Sequence, residues 1–290
     1  MVRRWASVAL LLAVLVRPAV ASEAVDDRGR AVALERRVER IVTLAPNLAE
    51  IAFAAGAGDR VVGVSVFTDY PPEATRLPQV AASGRVDIEA IVRLQPDLAL
   101  AWASGNRMQD IERLERLGVP VFATEARRLG DIPRLVRAVG RLAGNPADAE
   151  RAASAFEQAM AELRTRYAER RTVRVFYEIW HQPLMTVSGA HLISDVLAAC
   201  GARNVFANAR GLTIAVSAEQ LYAIDPDAII VSTFAGDEAD ALARWQRFAP
   251  LAAVHEGRVH TIDSSLANRM GPRLAEGAAA LCAAVDRARG

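Results

Sequence analysis

The sequence predicts an α/β protein of two lobes, each with a mostly parallel central sheet, joined by a long helix. Three observations predict it. Short apolar segments alternate with helix-like stretches from Arg40 to the C-terminus, the sequence form of βα units around a parallel sheet. A run of helix formers from about Ala147 to Arg166 interrupts this alternation, and in it Phe156, Met160, Leu163 and Tyr167 recur at helical spacing. The segment from Ile88 to Leu100 also matches the segment from Ala218 to Ile230 at a constant offset of 130, pairing Glu89 with Glu219, Pro96 with Pro226 and Asp97 with Asp227.

Taken in order, Arg40–Ala45 reads as a strand, and Asn47 followed by Glu50 reads as a helix cap opening Leu48–Ala55, which Gly56 closes. Val61–Val66 is the next strand, Ile88–Leu94 a helix, Leu98–Trp102 a strand, Met108–Leu117 a helix and Val119–Ala123 a strand. These make a first lobe over 22–130. A linker over 131–170 holds one helix opened by Asp131 and Pro133, a break at Gly144-Asn145-Pro146, and the long helix, which at about 1.5 Å per residue reaches roughly 30 Å. The second lobe, 171–290, restarts with a strand at Val173–Ile179. It continues through a helix at Ile193–Cys200, strands at Ala228–Ser232 and Val259–Ile262, and a helix at Arg273–Ala288. Two such Rossmann-like lobes leave a cleft, and ligands of these sheets bind outside the carboxyl ends of the strands.

Composition narrows the function. Of 290 residues 52% are hydrophobic and 24% charged, which excludes disorder, and 35 basic against 34 acidic residues leave no field for a polyphosphate, so no nucleic-acid partner is expected. Every basic residue is arginine, which excludes a catalytic lysine. Residues 1–21 have the form of a signal peptide: Arg3 and Arg4, an apolar run from Val8 to Val16 too short to cross a bilayer, and Ala19-Val20-Ala21 as a cleavage site. An exported chain with two cysteines, Cys200 and Cys282, is expected to pair them; two buried thiols are the alternative. Without C-x-x-C spacing or a cluster of histidines and acids, no dedicated metal site is expected.

Four aromatic residues follow predicted strands: Phe67, Tyr70, Trp102 and Trp180. At a cleft they offer rigid apolar faces to a large, partly apolar ligand; singly, each also reads as core packing. His181 offers an imidazole to the metal of a bound ligand, or a loop hydrogen bond, and Arg269, past the last strand, can hydrogen-bond amides or carboxylates at the rim. No catalytic residue is expected. There is no G-x-S-x-G, Walker loop or H-E-x-x-H, and a periplasmic hydrolase would need an acid and histidine site that the sequence does not offer.

From Arg40 onward the chain resembles the periplasmic cobalamin-binding proteins of ABC importers, within the helix-linked class that also binds siderophores and haem. The resemblance rests on Leu44-Ala-Pro-Asn-Leu-Ala-Glu50 with Phe53-Ala-Ala-Gly56, on Val62-Gly-Val-Ser65 with Thr68-Asp-Tyr-Pro-Pro72, and on Gln95-Pro-Asp-Leu98 leading to Trp102. It continues through Ser188-Gly189, Cys200-Gly201 with Asn204-Val-Phe206, Val216-Ser-Ala-Glu-Gln220 and Cys282. The resemblance implies a monomeric binding protein of the periplasm that carries a corrinoid such as cobalamin (vitamin B12) as transported ligand, not as cofactor. It places Phe67, Trp102 and the Trp180 region against the ligand, assigns Glu89 and Glu219 to docking on the importer's membrane subunits, and pairs Cys200 with Cys282. Ser83 and the region near Thr213 depart from the family by lacking a tryptophan, and Phe67 stands where a tyrosine is familiar. A partly missing aromatic cradle leaves other corrinoids, haem or a ferric siderophore as alternative ligands.

Overall fold

The computed structural model describes residues 22–82 and 84–290. The predicted signal peptide, residues 1–21, and Ser83 lie outside the described residues.

A hairpin of β1 (Ser22–Val25) and β2 (Ala31–Leu34), absent from the sequence reading, precedes the first lobe. It is tied down at its turn, where Asp26 pairs with Arg28 at 2.7 Å and the Asp27 N–H donates to the Ala123 carbonyl at 2.9 Å. The lobe itself runs β3 (Ile41–Thr43), α1 (Pro46–Ala54), β4 (Val61–Ser65), β5 (Gln79–Ala82), β6 (Arg85–Val86), α2 (Ile88–Arg93), β7 (Leu98–Trp102), α3 (Met108–Arg116) and β8 (Val121–Thr124). Its sheet has the order β6-β5-β4-β3-β7-β8 and is parallel except at β6. Parallel strands covered by helices on both faces must be apolar throughout, and β3 and β8 are buried at every residue.

One local expectation fails at α1. Pro46 occupies the first turn, where its missing N–H costs nothing and its fixed φ suits a helix, so the helix starts ahead of Asn47 and the extended Ala45 is its cap. Asn47 and Glu50, released from capping, face the second lobe instead.

The linker is α4 (Asp131–Ala143) and α5 (Pro146–Tyr167), packed on each other. Their close approach requires Gly140, where a Cβ would sit 2.2 Å from the Ala149 Cβ. The 22 residues of α5 span about 33 Å. Its stripe of Phe156, Met160, Leu163 and Tyr167 is buried as the spacing requires. It packs on α1 and α4 near the first lobe and on two helices of the second. One apolar core therefore runs from Ile41, Leu48 and Phe122 through Phe156 and Met160 to Val175 and Tyr177. A strut with one face packed along its length against both lobes resists large rotations between them.

The second lobe comprises β9 (Val173–Glu178), β10 (Trp180–His181), β11 (Leu184–Val187), α6 (Leu192–Ala199), β12 (Ala202–Asn204), β13 (Thr213–Ala215), α7 (Ala218–Ile224), β14 (Ala228–Thr233), α8 (Glu238–Trp245), α9 (Ala252–His255), β15 (Val259–Asp263), α10 (Ser264–Ala267) and α11 (Leu274–Arg287). A parallel sheet β12-β9-β14-β15 forms its centre. A small antiparallel sheet β10-β11-β13 carries Trp180 and His181, where the sequence predicts a loop. Cys200, capping α6, is bonded to Cys282 in α11 across a Cα separation of 4.7 Å, and both are fully buried. The expected disulfide forms, and the two-thiol alternative falls.

Candidate ligand-binding cleft

Three large aromatic side chains stand in solvent at the carboxyl ends of strands facing the cleft. Phe67, two residues past β4, is 74% exposed and has φ of 63°, in the left-handed region that a bulky side chain rarely enters. Such a conformation costs roughly 1–3 kcal/mol and persists only where surrounding structure holds it. The holding contact comes from the other lobe, where Arg269 Nη2 donates to the Phe67 carbonyl at 3.0 Å. Trp180, in β10, is 49% exposed, donates its Nε1–H to the Gln182 carbonyl at 3.0 Å and stacks on the exposed ring of His181. Phe234, the residue after β14, is 64% exposed. The signal that marks the others, an aromatic directly after a strand, marks it too.

Tyr70 and Trp102 are less free. Arg273 lies 4.2 Å over the ring of the part-exposed Tyr70, and Trp102 is half-buried against the core, its indole so close over Gly105 that a Cβ there would lie 1.9 Å away. Trp102 is less exposed than Phe67, Trp180 and Phe234.

Arg269 differs most from its expected role. Its guanidinium bonds the Asp69 carboxylate and the Phe67 carbonyl, and lies 3.5 Å from Glu50. The side chain is a bridge between lobes, already committed to protein partners. Arg273 approaches the same Glu50 at 3.7 Å, and Asn47 Nδ2 donates to the Met270 carbonyl at 3.4 Å. Burial drives the Glu50 carboxyl up to about 7 against the opposing pull of Arg273 and Arg269, and neither of its oxygens has a hydrogen-bond partner. Asp69, bonded directly to Arg269, is held below the ordinary carboxylate range. A second clasp joins the lobes where Arg128 pairs with Asp195 at 2.9 Å.

The second-lobe wall of the cleft encloses about 220 Å³ lined by Glu178, Trp180, His181, Phe234, Ser264 and Asn268 among others. That is below the roughly 300–1,000 Å³ of enclosed small-molecule pockets, so it is one wall of an open site. Three of its polar groups, Glu178, Ser232 and Asn268, are paired. The Tyr177 hydroxyl donates to Asn268 Oδ1 at 2.8 Å, Asn268 Nδ2 donates to Ser232 Oγ at 2.7 Å, and Trp245 Nε1 donates to the buried Glu178 at 2.7 Å. Burial raises both the Tyr177 phenol and the Glu178 carboxyl. Among the described residues no group of three or more His, Cys, Asp or Glu side chains could hold a metal ion. Exposed aromatic faces over a partly paired polar floor suit reversible capture of a flat or bulky molecule.

Glu89 and Glu219 lie away from this wall, exposed in the first turns of α2 and α7. Asp87 and Ser217 cap those turns by accepting from the Ala90 and Gln220 N–H groups.

Comparison with known proteins agrees with this arrangement. A periplasmic binding protein family model matches residues 41–266. A vitamin B12-binding protein of Vibrio cholerae is 35% identical over 244 residues, covering 84% of this chain and 88% of that one. The crystal structure of a periplasmic vitamin B12-binding protein of Vibrio cholerae superposes with a TM-score of 0.79 at 34% identity, over 87% of this chain and 98% of the other. A periplasmic heme-binding protein of Roseiflexus gives a TM-score of 0.78 at 26% identity, over 87% and 99% of the two chains. With the family model spanning most of its length and both sheets, strut and cleft in place, the chain belongs to the periplasmic binding protein family.

Proposed function

We propose that the protein, exported by the signal at residues 1–21, captures a corrinoid of the cobalamin type between its lobes. It then delivers the ligand, chemically unchanged, to the membrane subunits of an ABC importer. The observation that carries this reading is the 35% identity to a vitamin B12-binding protein across 84% of the chain. The exposed rings of Phe67, Trp180 and Phe234 supply the faces such a ligand needs, His181 lies in the same second-lobe wall as Trp180 and Phe234, and the half-buried Trp102 at the end of β7 is a further contact in this reading. Arg269 and Tyr70 frame the site by holding the lobes and the Phe67 loop in place. Haem is the second reading, favoured by the likeness to the Roseiflexus protein.

Mixing the purified protein with cyanocobalamin, and separately with haemin, and following visible absorbance and calorimetry tests the reading. Saturable 1:1 binding of cyanocobalamin is expected, and binding of haemin alone would overturn it. Phe67→Ala should weaken cyanocobalamin about tenfold or more, the loss expected for an aromatic face on a ligand, with an unchanged melting temperature because the ring is exposed. Equal affinity in mutant and parent would remove Phe67 from the site.

Delivery has its own test. A two-lobed protein meeting a two-subunit channel needs an anchor on each lobe, and Glu89 and Glu219 are placed to provide them. Reversing both, Glu89→Arg with Glu219→Arg, should leave cyanocobalamin affinity unchanged and reduce stimulation of the importer's ATPase about tenfold or more. Normal stimulation by the double variant would leave the two acids as helix-start residues only.

A further inference from the structure

The internal repeat extends past the sequence match to the way two helices are held and to what they expose. Residues 91–100 and 221–230 show the same order of buried, half-buried and exposed positions, residue by residue. Both α2 and α7 give way to a residue in the left-handed region at offset 130, Gln95 with φ of 44° and Asp225 with φ of 43°. Two residues on, Asp97 Oδ2 accepts from the Arg40 N–H at 3.0 Å and Asp227 Oδ2 accepts from the Arg174 N–H at 2.8 Å. Those arginines reach back to the last turns of the helices, Arg40 Nε to the Leu94 carbonyl at 2.6 Å and Arg174 Nη2 to the Ile224 carbonyl. A frame duplicated in this detail fixes the two helices to their sheets in equivalent positions.

The outer surfaces of the helices are matched as well. Glu89 and Val92 stand three residues apart on α2, Glu219 and Tyr222 three apart on α7, so each pair shares one side of its helix. Val92 is 44% exposed and Tyr222 40%, the tyrosine ring leaning on Phe248 at 6.0 Å between centroids. A single exposed apolar residue needs no explanation. Two at equivalent positions, each one turn behind an exposed acid, form a repeated pattern that a partner with two equivalent receptors can read.

We infer that Val92 and Tyr222 are the apolar halves of two matched docking patches, each engaged together with its glutamate by one of two equivalent importer membrane subunits. The surface that fits is a basic side chain beside an apolar recess, presented twice about a two-fold axis. This rests on the delivery role above and adds a division of labour. The acids steer and orient and are screened by salt, whereas the apolar residues slow dissociation at any salt. If the two recesses are identical, each must admit the larger ring, so Tyr222 fills its recess and Val92 only part of it.

The test is surface-immobilised importer in nanodiscs, with ligand-loaded protein flowed over it at low and high salt. Val92→Ser with Tyr222→Ser should raise the dissociation rate about tenfold at both salts, the weight of a small interface hot spot, and Tyr222→Ser alone should do more than Val92→Ser. Glu89→Gln with Glu219→Gln should weaken binding chiefly at low salt. Leu117→Ser, at a residue 55% exposed but outside the repeat, serves as control and should change nothing. Dissociation rates within about twofold of the parent for the apolar variant, while the glutamate variant weakens, would overturn the inference and leave delivery standing. Failure of the parent itself to engage the importer would overturn the delivery role and the inference with it.

Discussion

Replacing Cys200 and Cys282 together by alanine is expected to lower the unfolding free energy by about 4 kcal/mol, read as a fall in denaturant midpoint with a somewhat steeper slope, because the unlinked unfolded chain exposes more surface. The bond joins residues 82 apart, and closing a loop of that length removes much of the freedom of the unfolded chain. It also staples two helices that pack on each other, α6 and α11, at a point where both cysteines are fully buried. The clasp to the first lobe depends on the same region, since Asp195 in α6 is the partner of Arg128. Reductant under native conditions should therefore act slowly, through opening of the lobe, whereas the alanine variant carries the whole cost from synthesis. An unchanged midpoint would show that the packing of α6 on α11 suffices without the bond.

How far the cleft could be read from the sequence depends on the range of the interaction that makes each part of it. The parallel strands were legible because a strand buried on both faces is a continuous apolar run, as in Leu98–Ala101 and Ala228–Val231. The strut was legible because its stripe has helical spacing. Phe67 and Trp180 are expected at the cleft by their place after strands and are exposed there, and Phe234, exposed directly after β14, obeys the same rule. The left-handed conformation of Phe67 was out of reach, because the group that holds it, Arg269, comes from 202 residues away. For the same reason Arg269 was expected to reach ligand, when Asp69 and Glu50 already occupy it. Asn47 and Glu50 show a local pattern overridden by a neighbour. Pro46 takes over the helix start, and the two polar residues become part of the contact with the second lobe. An acid set between apolar Leu48, Ala49, Ile51 and Ala52 was the visible sign that it is buried.

That buried acid carries the second large expected effect. In the unfolded chain Glu50 ionises near the ordinary 4.5, whereas burial raises it to about 7 in the folded protein. Between those values the folded state holds a proton that the unfolded state has lost, so rising pH favours unfolding. The group's contribution is thus fully present below about 4.5 and is lost as pH rises through about 7. The interval corresponds to about 3 kcal/mol at most. The charged groups facing Glu50 are Arg269 and Arg273 from the second lobe and Asp69 from its own. The arginines pull its ionisation down without overcoming burial, because they stand at 3.5 and 3.7 Å and no hydrogen bond satisfies either carboxylate oxygen. Glu50→Gln keeps the shape and removes the proton equilibrium. Relative to the parent it should gain stability from pH 5 to about pH 7, most steeply between about 5 and 6.5, and level off above 7, in urea titrations at matched ionic strength. Parallel stability curves for parent and variant across that range would mean that Arg269 and Arg273 hold Glu50 ionised throughout, and that the contact between the lobes is an ordinary ion pair.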